Sequence, residues 1–250
     1  MDLNLNGRVA LVTGGANGVG REIALALAAE GAAVAVNYHR SGDAANAVVG
    51  EIAAAGGKAI AIGCDVADFA AVNAMVARVA GELGGLDILV NNAGLARRQR
   101  FAETTQADWR RQIDTCLYGA IHCCHAAAPH LEKSGAARIV SLIGDSSRVG
   151  ESGLSIVAAA RAGVIGLIKS LAREMGRSGV TANVISLGLV ETAHDRDWVE
   201  ANRERLVRLY PVRRLGQPGD VAPMVTLLAS AAGGWITGQV ISISGGYSMV

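Results

Sequence analysis

Charge is sparse in this sequence and nearly cancels. Charged residues fill 18% of the 250 positions and the formal net charge is +1. No strong field therefore draws nucleic acid or anionic lipid, and neither is an expected partner. The opening Met1-Asp2-Leu3-Asn4 is polar and acidic, unlike a secretory signal. No uncharged apolar run reaches the length of a membrane span. The longest, Ile156 to Ile168, is short and contains Arg161. The four cysteines, Cys64, Cys116, Cys123 and Cys124, lack Cys-x-x-Cys spacing, which argues against zinc and thioredoxin-type chemistry and for buried, reduced thiols. His122 and His125 are spaced i,i+3 but have no acidic or thiolate partner set, so a packed helix face is expected there and no metal. No proline- or serine-rich linker divides the chain. One domain over 1–250, in a soluble cytoplasmic protein, is the expectation.

What the chain has in quantity is apolar surface. Hydrophobic residues make up 51%, enough for one large domain with a substantial core. Short β-branched runs alternate with longer alanine-rich stretches. Strands are expected at Arg8–Thr13, Ala33–Asn37, Ala59–Cys64, Ile88–Asn91, Arg138–Leu142, Thr181–Ser186 and Gln239–Ile243. Helices are expected at Gly18–Glu30, Asp43–Ala55, Asp68–Leu83, Asp108–Glu132 and Leu154–Met175, with another beginning near Asp220. Asp195 to Arg208 reads only as a charged segment. Strands buried on both faces and separated by helices mean a parallel sheet covered on both sides. The fold class is α/β, a doubly wound Rossmann sheet of seven parallel strands.

The richest segment is Val9-Ala10-Leu11-Val12-Thr13-Gly14-Gly15-Ala16-Asn17-Gly18-Val19-Gly20. A strand ends, glycines turn the chain, and a helix starts with its amides exposed. That geometry sets free N–H groups and a partial positive charge against a pyrophosphate. The spacing, Gly14-x-x-x-Gly18-x-Gly20, departs from the common dinucleotide fingerprint.

Thr13-Gly14-(x3)-Gly18-Val19-Gly20 resembles the cofactor motif of the short-chain dehydrogenase/reductase family. Asn91-Asn92-Ala93-Gly94 resembles its next signature, and Cys64-Asp65-Val66 its adenine-contacting turn. Arg214-x-Gly216-x-Pro218-x-Asp220-Val221-Ala222 and Gly238-Gln239-Val240…Gly245-Gly246 resemble its later stretches. The likeness covers essentially the whole chain and is nearest the bacterial 3-oxoacyl-carrier-protein reductases. It implies nicotinamide dinucleotide contacts at Gly14, Asn17, Gly18, Val19, Gly20, Asp65, Val66, Asn91, Ala93, Gly94, Val190 and Thr192. The position that would carry an acidic residue for an NAD ribose is Tyr38, followed by His39, Arg40 and Ser41. With no carboxylate to repel a 2′-phosphate and a base nearby, NADP(H) is favoured over NAD(H).

The resemblance also implies an Asn-Ser-Tyr-Lys tetrad, and here the match fails. In ungapped register Cys116, Gly144, Val157 and Arg161 stand at those four positions, and Leu187-Gly188 replaces the frequent Pro-Gly after the sixth strand. Val157 has no exchangeable proton. Losing a positioned general acid costs ~10²–10⁴ in rate. Arg161 keeps the charge but donates protons poorly. Asp145, Ser146, Ser147 and Tyr118 are nearby substitutes, and Asp145 and Ser146, with Arg161, are the catalytic candidates. Plainer roles are a loop Asp145 paired with Arg161 or Arg148 and a turn-forming Ser146.

Three functions stay open. The first is an NADP(H)-dependent oxidoreductase with an unorthodox proton supply, on an unknown carbonyl or alcohol. The second is a catalytically silent nucleotide-binding subunit bracing an active homologue. The third is non-redox chemistry in the same pocket, since Arg161 in the Lys position resembles the halohydrin dehalogenases. The resemblance implies a homotetramer, and the second function a hetero-oligomer. Asp195, Asp197, Trp198, Arg203 and Arg205, in the stretch 191–215, either line a substrate site or face water.

Overall fold

The computed structural model describes residues 3–192 and 196–250; Met1, Asp2 and Asp195 lie outside the described residues. Seven strands form one sheet: β1 (Val9–Val12), β2 (Ala33–Tyr38), β3 (Ala59–Gly63), β4 (Ile88–Asn91), β5 (Arg138–Gly144), β6 (Thr181–Leu187) and β7 (Val240–Ile243). They lie in the order β3-β2-β1-β4-β5-β6-β7, every pair parallel. The chain order reverses between β1 and β4, and such a switch point opens a crevice at the carboxyl ends of the strands. This is the doubly wound Rossmann architecture.

The helices are α1 (Gly18–Ala29), α2 (Gly42–Ala54), α3 (Phe69–Leu83), α4 (Gln106–Ile113), α5 (Gly119–Ser134), α6 (Ser146–Val149), α7 (Ser155–Glu174), α8 (Arg196–Arg208) and α9 (Pro218–Ala229). Strand alternation splits the core into two layers. Val9, Leu11 and Leu89 face Val72 and Val76 of α3, Leu131 of α5 and Ile168 of α7. Ala10, Val12 and Ile88 face Ile23 and Leu27 of α1, Val48 of α2 and Val225 of α9. Burying the valine, leucine and isoleucine side chains among these contributes roughly 1.5–3 kcal/mol each.

Caps set the helix boundaries. Asp68 accepts a hydrogen bond from the Ala71 amide (3.0 Å) ahead of α3, and Thr105 and Asp108 form a reciprocal capping box before α4. The helix expected over Asp108–Glu132 is present. It runs from Gln106 to Ser134 and contains an unforeseen π-helical turn at Asp114–Tyr118. Past that turn Gly119 lies against Val66, whose Cγ2 is 2.7 Å from where a Cβ on Gly119 would be. Two helices went unforeseen: the short α6, and α8 within the charged segment. Among the described residues α7 is the one helix long and apolar enough to cross a membrane, by length and composition. It carries Arg161 within that length, and its Val157, Val164, Ile168 and Ala172 are buried.

Pro218 opens α9, and Gln217 and Asp220 form its capping box. Asp220 also takes two hydrogen bonds from Arg214, at 2.6 and 2.7 Å. These bonds foremost pull the Asp220 carboxyl down to about 2. A depressed folded pKa stabilises the fold above the unfolded carboxylate value, and the gain is lost as pH falls through about 2. Asp220→Asn should therefore lower the melting temperature at pH 7, and its gap to the parent should close on acidification. Melts across that range check it.

Candidate functional site

The crevice at the β1/β4 switch is edged by the turn after β1. Gly14 and Gly18 have φ of +62° and +52°, and a Cβ on Gly20 would lie 2.3 Å from the Gly14 carbonyl oxygen. Only glycine allows this approach. Asn17 precedes α1 in an extended conformation with no side-chain cap, and the first turn has no acidic residue. The opening amides of α1, Val19 among them, are left to bind an anion.

Three side chains clasp the turn, and their roles were not foreseen. The Thr13 hydroxyl accepts from the amides of Asn92 and Ala93, both at 3.0 Å, and donates to the Val90 carbonyl at 3.2 Å. Asn92 Nδ2 donates to the carbonyls of Thr13 (2.9 Å) and Gly14 (3.1 Å). Asn37, buried, accepts from the Gly14 amide at 3.2 Å and donates to the carbonyls of Ile62 and Cys64, at 3.3 and 3.1 Å. A lone amide ending the run Ala33-Val34-Ala35-Val36 was the available signal.

At the end of β2 the half-buried Tyr38 ring fills the space beside Gly42 and Gly63, 3.3 and 3.2 Å from their missing Cβ positions. His39 Nε2 is 3.7 Å from Asp65 Oδ2, and Asp65 Oδ1 accepts from the Ala67 amide at 3.0 Å. Arg40 and Ser41 are exposed. Ser41 precedes α2 without a side-chain cap, and Arg40 has no hydrogen-bond or ion-pair partner among the described residues. Across the crevice the Thr192 methyl lies 3.1 Å from the missing Cβ of Gly18, and Val190 bridges to Gly216. Asn91 donates to Ser141 Oγ at 3.0 Å, while its buried Oδ1 is unpartnered.

Arg161 lies between the ends of β4 and β5. Its Nη2 is 2.9 Å from the missing Cβ of Gly94, and its Nη1 is 3.3 Å from that of Gly144. Arg161 is half-buried, and its guanidinium makes no hydrogen bond or ion pair among the described residues. Thr13, Asn91, Cys116 and Ser141 share its small pocket, whose lining includes no carboxylate. Val157, 1% exposed, packs with Cys116 and Ala160, and Cys116 Sγ donates to the Leu95 carbonyl at 3.2 Å. Ser146 Oγ is 3.4 Å from the missing Cβ of Gly144, which puts a hydroxyl on the side of that residue that Arg161 also faces.

Asp145 is placed elsewhere. It is 2% exposed and accepts hydrogen bonds from Ser186 Oγ (2.5 Å) and Ser248 Oγ (2.7 Å). It pairs with neither Arg161 nor Arg148, which corrects that expectation. Arg148 turns to Ser242 Oγ at 2.6 Å and to the Val250 carbonyl. With both oxygens engaged by hydroxyls, Asp145 braces the wall of the site. Ser147 Oγ is buried without a partner. Tyr118 is half exposed and stacks on His122 at 5.9 Å, outside the Arg161 pocket lining. His122 and His125 pack against Phe69, at 5.2 and 5.4 Å. Burial pushes the thiols up, Cys64 to about 11 and Cys124 to about 12, with Cys123 also raised, which disfavours their thiolates.

A family model described as enoyl-(acyl carrier protein) reductase matches residues 14–248. A 3-oxoacyl-[acyl-carrier-protein] reductase of Staphylococcus aureus is 40% identical over 240 residues, 96% of this chain and 98% of the relative. The chain belongs to the short-chain dehydrogenase/reductase family. Another member, the (2S)-[(R)-hydroxy(phenyl)methyl]succinyl-CoA dehydrogenase subunit BbsD of Thauera aromatica, is 35% identical over 247 residues, 99% of each chain. The crystal structure of a short-chain dehydrogenase from Burkholderia cenocepacia in complex with NADP matches with a TM-score of 0.92 at 39% identity, over 98% of this chain and 99% of that one. Short-chain dehydrogenases/reductases are nicotinamide-dependent oxidoreductases, and the uncapped α1, the Gly20 contact and the clasped turn suit such a cofactor.

Proposed function

We propose that this short-chain dehydrogenase/reductase binds NADP(H) and interconverts a carbonyl and an alcohol without a side-chain acid at position 157. The unpartnered Arg161 guanidinium, between the ends of β4 and β5, carries the reading. The amides of α1 hold the diphosphate, and Arg40 takes the 2′-phosphate. When bound, the nicotinamide supplies or accepts a hydride. Arg161 and Ser146 stabilise a substrate oxyanion by charge and hydrogen bonding, and Val157 offers no proton. Solvent then protonates the product, which predicts slow turnover.

The 3-oxoacyl thioester named for the S. aureus relative is the first compound to try. Consumption of NADPH with it, lowered about 10²-fold or more by Arg161→Met, supports the proposal. No consumption over a broad carbonyl panel rejects it. Arg40→Glu should weaken NADPH binding about 10- to 100-fold and leave NADH binding nearly unchanged, as read by calorimetry. Equal loss for both coenzymes would remove Arg40 from the phosphate site.

A second reading is a nucleotide-binding subunit without turnover of its own. It is favoured by the buried Val157 against Cys116 and Ala160 and by a relative whose name makes it a subunit. Pull-down from the native host separates them, since recovery of only this chain counts against a mixed assembly. In either case we take the chain to be one soluble cytoplasmic domain assembling as a tetramer, which native mass spectrometry tests.

A further inference from the structure

A second cavity, of about 240 Å³, lies between the segment after β6, the start of α9 and the end of β7. It shares no lining residue with the Arg161 pocket, and of the expected cofactor contacts only Val190 borders it. Its walls are largely apolar, with Leu189, Val190, Val212, Val221 and Ile243. An apolar cavity of about 150 Å³ holds a benzene ring, so this one has room for a substituted ring.

Its buried polar side chains are Tyr210, 5% exposed, and Ser244, 7% exposed, whose hydroxyl pairs with the Ser248 backbone at 3.5 Å. The ring lies across Gly188 and Gly245, with Cε1 3.0 Å and Cδ1 3.5 Å from their missing Cβ positions. The phenol oxygen accepts from the Leu189 amide at 2.9 Å, yet its own hydrogen has no acceptor among the described residues. Burial foremost pushes this phenol upward, so the hydrogen stays in place through neutral pH. Arg214 and Asp220, also in the lining, are bonded to each other at 2.6 and 2.7 Å. Their charges cancel, so the cavity does not select an ion.

We infer that this cavity is a second small-molecule site, for a neutral, compact apolar molecule whose one hydrogen-bond acceptor takes the Tyr210 hydroxyl hydrogen. An ester, amide or ketone oxygen on a ring-sized body has that chemistry. A pure hydrocarbon fills the volume but leaves the phenol hydrogen unpaired, at a cost in affinity.

The test uses the full chain, with and without saturating NADPH, and two probes: methyl benzoate, and toluene as the probe without an acceptor. Methyl benzoate should bind about tenfold more tightly than toluene, and crystals soaked in it should place its carbonyl oxygen at Tyr210. Tyr210→Phe should abolish the preference. Val212→Trp, at a 58% exposed position where folding is at little risk, should block both probes and spare NADPH binding. The inference is overturned if neither probe binds, if NADPH displaces them, if they lie elsewhere, or if the preference survives Tyr210→Phe.

Discussion

The triple variant Gly144→Ser, Val157→Tyr, Arg161→Lys is expected to reduce a 3-oxoacyl thioester or simple ketone with NADPH at least ~10²-fold faster than the parent, the scale of a positioned general acid. The three changes belong together. A Cβ on Gly144 would lie 3.3 Å from Arg161 Nη1, so a hydroxyl there needs the guanidinium shortened to an amine. Val157 is 1% exposed against Cys116 and Ala160, so a tyrosine added alone overfills that site. Val157→Tyr by itself should cost about 1–3 kcal/mol of stability and yield no comparable activity. NADPH absorbance with the substrate, followed for each variant, measures the gain. A folded, NADPH-binding triple variant that stays inert would show a cleft remade for another task, and the subunit reading would take precedence.

Gly20→Ala should weaken NADP(H) binding about tenfold to a hundredfold, the scale of roughly 1–3 kcal/mol of overlap. The added methyl would meet the Gly14 carbonyl oxygen at 2.3 Å and Asn92 Nδ2 at 2.4 Å. Relief requires shifting the start of α1 from the turn or breaking the Asn92 clasp, and both move the amides that face the diphosphate. Calorimetry with NADPH, alongside circular dichroism to confirm folding, reads the effect. Retained affinity would mean that the cradle tolerates a shift of its helix, and that the diphosphate is held elsewhere.

The sheet was legible because a parallel strand covered on both faces must be apolar along its whole length, and runs such as Val9–Val12 and Ile88–Asn91 are nearly so. The helix ahead of α5 was less legible. A π turn leaves no periodic mark in five residues, and Thr105, which caps α4, lies three positions before Asp108, where the expected helix opens. In the site, Gly14, Gly18 and Gly20 could be read because their function is to lack a side chain. Asn37 and Thr13 could not, because their partners, the Gly14 amide and the 92–93 amides, come from other strands. Asp145 misled for the same reason. Its neighbours in sequence suggested a cation, while its neighbours in space are Ser186 and Ser248, 41 and 103 residues away.

The π turn at Asp114–Tyr118 acts as a phase shifter between two rods. Each residue of an α-helix advances the face by about 100°, so deleting one residue there would swing everything downstream around the axis by that angle. Cys116 would lose its alignment with Val157, and His122 would leave Phe69 and the Val66 carbonyl that it meets at 3.0 Å. The wall beneath Arg161 and the turn beside Asp65 are thus indexed to each other by a single surplus residue.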